Sequence, residues 1–420
     1  MMGTMSATER PKGWGRLLDT ALLLLAVALP FAAGVIPVFI LLIALAVIGL
    51  RVKGGGEWRR PALNSALPWM ALYYLLHVIG MAWSTNTQFG LFDLEVKASF
   101  VLFPVLWWLL PSTARIDVNK VWKGFVWANA AAVVVSLVAA CWRFVPEWYL
   151  RGQGQLPYGA PWTNHFFESR FALFLHPSYM AMYLCFALAV LQFGVSGMRQ
   201  GVRGMLSALL VVGVILCNSK MGWLTLAVVI GLAVMAAWRE PAHRRRLLAL
   251  SGLGLAVFIA LFMAFPTVSG KLTQALSATG AIDPTSDQSS ALRRMAWDAA
   301  TDLFQAQPFT GVGTGDIKDE LVAVYEAKGY VHAAAKRMNA HSQFLQSAAA
   351  LGIPGVLALL AMVLVPLVIS VRRGRRPAVA FWLIILLNWC VESMAEVQAG
   401  VLFMTVMAWL LATGTDGDEA

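Results

Sequence analysis

The feature that most constrains this chain is a succession of apolar runs, most of them near the length that crosses a bilayer. About 20 apolar residues span the hydrocarbon core. Backbone groups find no water there, so such runs must form helices. The chain is 59% hydrophobic and only 13% charged, against about 25% charged in a soluble domain. The predicted fold is therefore an all-α polytopic membrane protein with about twelve transmembrane helices. Spans one and two cover residues 17–33 and 35–51, with a tight turn near Gly34. Span three covers 66–83 and span four 98–111, while span five ends near Cys141. Span six covers 176–195, span seven ends at Asn218-Ser219-Lys220, and span eight returns to Trp238. Span nine ends near Pro266, span ten covers 353–371, and two more complete the bundle. Residues 1–420 read as one integral membrane domain with a smaller polar loop at 142–175 and a larger one at 267–340, which carries short helices between spans nine and ten.

Charge gives the orientation. Twenty of the 32 Lys and Arg fall in the N-terminal segment and in five short loops that alternate along the chain. This is the positive-inside pattern, so the net charge of +10 reads as topology and not as a nucleic-acid footprint. Both termini are expected in the cytoplasm and both long loops outside. The first apolar run follows Arg10, Lys12 and Arg16 with no clear small-residue cleavage site, which makes it a retained anchor. Cys141, Cys185, Cys217 and Cys390 lie in or beside apolar runs without Cys-x-x-Cys spacing, as packing residues do.

Candidate chemistry concentrates between about Ser290 and Gly352. Neither a His-Glu-x-x-His zinc motif nor a Gly-x-Ser-x-Gly elbow is present. Asp283 with Asp287, and Asp316 with Asp319, have the spacing of solvated loop residues rather than of a metal site. Cations and histidines stand out instead at the expected outer ends of spans: Arg170, His176, Lys220, Arg293 and His341. Lys220, in a tight turn between apolar runs, suits either an anion ligand or a snorkelling interfacial anchor. Arg293 shares a helical stripe with Trp297, Ala300 and Phe304, which would hold it in place; the alternative is a solvated charge. Asn339 reads as an N-cap that places His341 in the first turn of a helix. The positive end of that helix would favour a neutral imidazole able to accept a proton, although a histidine there can equally be an ordinary hydrogen-bonding residue.

Taken together these segments resemble the O-antigen ligase family, which includes lipopolysaccharide O-antigen ligases, O-antigen polymerases and pilin oligosaccharyltransferases. The resemblance rests on Leu94-Glu95-Val96-Lys97 before a Pro104-containing span, on His176-Pro177-Ser178-Tyr179 and on Asn218-Ser219-Lys220-Met221-Gly222-Trp223. It continues in Arg293-x-x-x-Trp297, Pro308-x-x-Gly311-x-Gly313, and His341-Ser342-Gln343-x-Leu345 with Gly352. One departure is Lys220, where the family often has Arg; charge is kept but the planar fork is lost.

The resemblance implies an enzyme of the bacterial cell inner membrane with a periplasmic active site. Its donor would be a glycan on undecaprenyl diphosphate and its acceptor a sugar hydroxyl of lipid A–core, both carried by membrane lipids. It further implies His341 as general base, and Arg293 and Lys220, with Arg170 as a further candidate, as ligands of the diphosphate. His176, Trp297 and Gln343 are secondary positions. No metal or other cofactor is expected, and a one-step displacement would invert the anomeric centre. A polymerase or protein oligosaccharyltransferase of the same family differs in acceptor. A lipid-glycan flippase or other transporter is the alternative of another class, and the chain shows few of the midplane charges and none of the paired halves that favour one. Reporter fusions after Lys53, Arg199, Arg245 and Gly374 are expected to read cytoplasm, and fusions at Gly154 and Lys328 periplasm; a cytoplasmic signal at Lys328 would remove the external site.

Overall fold

A computed structural model describes residues 12–31, 33–54, 57–59, 63–155, 163–238, 252 and 282–413. Among these residues the chain is helical and without strands. The helices are α1 (Lys12–Ala28), α2 (Ile36–Gly54), α3 (Leu67–Gly80), α4 (Thr87–Lys97), α5 (Ser99–Leu109), α6 (Val118–Gly152), α7 (Pro177–Phe193), α8 (Gln200–Leu216) and α9 (Lys220–Trp238). After the undescribed stretch come α10 (Ser289–Ala306), α11 (Ile317–Ala327), the short α12 (Val331–Ala335), α13 (Gln343–Arg372), α14 (Arg376–Val391) and α15 (Gln398–Thr413). Four are long and apolar enough to cross a membrane: α2 (over Ile36–Lys53), α6, α9 and α13. The segments expected as spans three, six, seven, eleven and twelve are shorter apolar helices. Span nine, with Arg239 and Arg244 to Arg246, lies outside the described residues. So do Tyr158 and Trp162 of the smaller loop, and much of the larger loop before residue 282. The helix that carries span five, α6, continues past Cys141 to Gly152.

The chain divides into two compact units, Met1–Leu22 with Pro37–Val118 and Ala275–Ala420, and Leu23–Ile36 with Asn119–Gln274. In the second unit α7 packs against both α8 and α9. Every residue from Tyr179 to Leu191 is buried, as expected of a helix that is apolar all round and sits inside its bundle. Gly222, in the first turn of α9, permits the close approach: a Cβ there would come 2.6 Å from the Ala181 Cβ on α7.

In the first unit α13 packs against α3, α10 and α14, and α15 packs against α5. The start of α13 is broken at Gly352, whose φ of 65° and ψ of −156° form a conformation essentially confined to glycine. The break frees carbonyls, and the Pro308-x-x-Gly311-x-Gly313 loop takes them up. Val312 N–H donates to the Ala349 carbonyl at 2.9 Å, Gly313 N–H to Ala350 at 3.0 Å, and Ile353 N–H returns to Pro308 at 2.8 Å. A Cβ on Gly311 would meet the Ala350 carbonyl carbon at 2.3 Å, and one on Gly352 the Pro308 oxygen at 2.6 Å. The two glycines are thus complementary halves of one backbone-to-backbone contact.

A second feature fixes the turn between α14 and α15. Lys97 is fully buried, with Nζ 2.5 Å from Asp93 Oδ1 and 2.9 Å from Glu396 Oε2. Burial opposes its charge, yet the two carboxylates hold its proton on and raise its pKa above the ordinary lysine value. Gln343, also fully buried, accepts from Ala395 N–H at 2.7 Å and donates to Tyr73 Oη at 3.1 Å and Glu396 Oε1 at 3.3 Å. Ser347 Oγ completes the cluster 2.7 Å from the Tyr73 hydroxyl.

Gly352→Ala combines forbidden backbone with a steric clash and is expected to destabilise the protein by about 2–5 kcal/mol. Thermal unfolding in detergent checks this, and an unchanged melting temperature would show that the 308–313 loop yields.

Candidate active site

The sequence candidates fall into both units. In the first unit, Arg293 and His341 come together through a residue that the sequence reading did not single out, Glu392. It follows α14 directly and is buried, with its side chain 10% exposed. Arg293 Nη2 donates to Glu392 Oε1 at 2.5 Å, and His341 Nδ1 lies 3.5 Å from Glu392 Oε2. Arg293 is fixed further by Nη1 donating to Ser289 Oγ at 2.8 Å and Nε to the Val391 carbonyl at 3.3 Å. Each terminal guanidinium nitrogen keeps a second N–H. Arg293 is carried by α10, whose buried face is Leu292, Met295, Ala296, Ala299, Ala300 and Leu303. Arg293 itself is left at the edge of that face, partly exposed.

Placement of His341 corrects one expectation. Asn339 does not cap a helix containing it, because α13 begins at Gln343 with Ser342 at the N-cap position. His341 has a φ of 45°, which takes it out of helical geometry and into a region that costs a non-glycine residue roughly 1–3 kcal/mol. Two contacts hold the conformation. Asn339 Oδ1 accepts from the His341 N–H at 3.1 Å, and Trp297 Nε1 donates to the His341 carbonyl at 3.2 Å. Trp297 therefore serves the backbone of His341 and not the side chain of Arg293.

His341 and Arg293 open onto a cavity of about 460 Å³ that Asp287, Ser289, Lys336 and Asn339 also line. Lys336, absent from the sequence reading, adds a cation to it. Gln343 and Trp297 do not line it, and Gln343 is occupied by the buried cluster described above. The site can therefore bind an anion with Arg293 and Lys336 beside a histidine whose Nδ1 faces a carboxylate. Burial works against ionisation of Glu392, but His341 and Arg293 outweigh it and hold its pKa at about 2. Among the described residues no group of His, Cys, Asp and Glu could hold a metal ion. Asp283 accepts from Thr285 at 3.0 Å, Asp316 accepts from the Thr85 and Asn86 amides, and Asp319 pairs with Arg337 at 2.6 Å. These carboxylates serve the loops themselves.

In the second unit Arg170 ends a short 3-10 turn, Glu168–Arg170. Its carbonyl accepts from the Arg143 guanidinium. Glu168 Oε1 in the same turn accepts from Asn218 Nδ2 at 3.2 Å, and Asn218 lies two residues before Lys220 at the start of α9. Arg170 and Lys220 are thus carried by segments joined through Glu168 and Asn218, both with positive φ. His176 caps α7, its Nδ1 accepting from Ser178 N–H at 3.4 Å, a structural duty.

A family model described as O-antigen ligase matches residues 205–360, a stretch that includes Lys220, Arg293 and His341. No curated protein matches the chain.

Ionised Glu392 favours the folded state because its pKa is lowered from 4.5 to about 2 on folding. That contribution is complete above pH 4.5 and disappears as pH falls towards 2. The stability advantage of the wild type over Glu392→Gln, measured by thermal unfolding in detergent, is expected to shrink across that window. A constant gap would mean that the carboxylate charge is not what holds Arg293 and His341.

Proposed function

On the family match that supports its assignment to the O-antigen ligases, we propose that this membrane protein is a glycosyltransferase using a lipid-diphosphate-linked glycan. The observation that carries the reading is the Arg293–Glu392–His341 arrangement, whose Arg293 and His341 line a cavity together with Lys336 and Asp287. Undecaprenyl diphosphate is the donor carrier in this reading, and a sugar hydroxyl of lipid A–core in the periplasm is the acceptor. His341 Nε2 takes the proton of the attacking hydroxyl. Glu392 faces Nδ1, sets the tautomer and stabilises the imidazolium that forms. The glycosidic bond to the phosphate breaks as the new one forms, and the bonding pair leaves with the diphosphate. Arg293, through its remaining N–H groups, and Lys336 meet that developing charge. Lys220 and Arg170 carry the same assignment from the family resemblance. No step calls for a metal, and single displacement inverts the anomeric centre.

The assay is transfer of a lipid-linked glycan to lipid A–core by purified variants, run with and without EDTA. His341→Ala is expected to lower turnover by about 10²–10⁴-fold while donor binding persists. Arg293→Lys should be nearly as damaging as Arg293→Ala, because an ammonium cannot hold Glu392 and a phosphate in parallel. Lys220→Arg should retain activity that Lys220→Ala loses. Normal transfer by well-folded His341→Ala, or loss on chelation restored by a divalent ion, would reject this mechanism.

A further inference from the structure

The far end of the first unit holds a second cavity, of about 390 Å³, unrelated to the residues above. It lies where α13 ends and α14 begins, roughly 40 Å along α13 from His341 at a rise of about 1.5 Å per residue. Its lining includes Arg59, Arg373 and Arg375, and no Asp or Glu among the described residues. Arg59 is held in the wall: it is only 5% exposed, and Nη2 donates to the Ala114 carbonyl at 3.0 Å and Nε to Pro111 at 3.4 Å. The Trp107 ring, 6% exposed, also lines the cavity, and its Nε1 is buried without a hydrogen-bond partner.

Helix polarity acts in the same direction. Ala378 in the first turn of α14 faces the cavity, so the positive pole of that helix is presented to it. The opposing negative pole of α13 is already covered, since Arg373, Gly374 and Arg375 N–H donate to its last carbonyls at 2.9, 3.1 and 2.9 Å. At the rim, Trp58 lies 4.4 Å from Trp108 and beneath the Arg51 guanidinium at 3.7 Å, with 49% of its surface exposed. Half-exposed tryptophans beside arginines mark the level of lipid headgroups. Three arginines, Trp107 and the first turn of α14 line one small volume next to that level.

We propose that this cavity binds the phosphate headgroup of an anionic membrane phospholipid. Phosphate is the shared chemistry, and a lipid supplies it with acyl chains that lie along the apolar helices below the rim. Basic pockets between membrane helices take anionic headgroups for this reason.

Binding is measured on the intact purified protein in detergent, by native mass spectrometry and by thermal stabilisation. The ligands are dioctanoyl phosphatidylglycerol, dioctanoyl phosphatidylcholine and inorganic phosphate. Phosphatidylglycerol is expected to bind and stabilise. The Arg373→Gln/Arg375→Gln double variant should weaken that binding about tenfold or more. Both residues sit at a surface turn, so the variant keeps the wall residue Arg59 and the fold. The Arg372→Gln/Arg376→Gln variant removes the same charge from the same turn outside the lining and should bind as wild type. Three results overturn the proposal: equal loss in the two double variants, which would indicate diffuse attraction; equal stabilisation by phosphatidylcholine; and full stabilisation by inorganic phosphate alone, which would indicate a free-phosphate site.

Discussion

Glu392 is the contact on which the candidate site depends. Arg293 and His341 belong to separate segments and would repel each other if both were charged. A buried carboxylate between them offsets that repulsion, bonded to Arg293 at 2.5 Å and facing the imidazole Nδ1 at 3.5 Å. The other ring nitrogen is then available to a substrate. Such a link is worth having only if the carboxylate is itself immobile, and the structure supplies this directly downstream. Gln343 and the Lys97 cluster clamp residues 395 and 396 to the start of α13 and to α4.

That clamp has an energetic logic of its own. Two carboxylates and an ammonium with no exposed surface on the lysine are costly to bury, and their mutual attraction roughly offsets the cost at best. Their value is in specifying one arrangement, since removing the lysine leaves two carboxylates without their cation. The glycine contact between residues 311 and 352 acts similarly through geometry. It breaks α13 while giving the Ala349 and Ala350 carbonyls new donors, and so sets the direction in which the chain enters from His341.

Much of the helical framework was legible in the sequence because apolar length and basic turns are local properties. The recurrent Gly311, Gly313 and Gly352 were visible as glycines, but their pairing was not, because it joins positions about 40 apart through backbone atoms. Glu392 carried no local signal beyond being a carboxylate between two apolar runs; its meaning comes from a guanidinium 99 positions earlier. His341 was misplaced for a different reason. The Asn339 pattern predicts a cap in helix grammar, whereas the same side chain here supports a turn with a positive φ. Gln343 looked chemical by proximity and proved to be a strut. Lys336, separated from the His341 motif by residues 337–340, became part of the cavity only once α12 and the following turn were in place.

The late position of Glu392 in the chain also sets an order of events during synthesis. Arg293 and His341 are made before the carboxylate that joins them. Glu392 lies between two apolar helices, α14 and α15, and arrives with them. A nascent or prematurely terminated chain ending within α14 would display the histidine and the arginine but lack the group that organises them. The arrangement of Arg293 and His341 around one carboxylate is therefore organised only after α14 has been made.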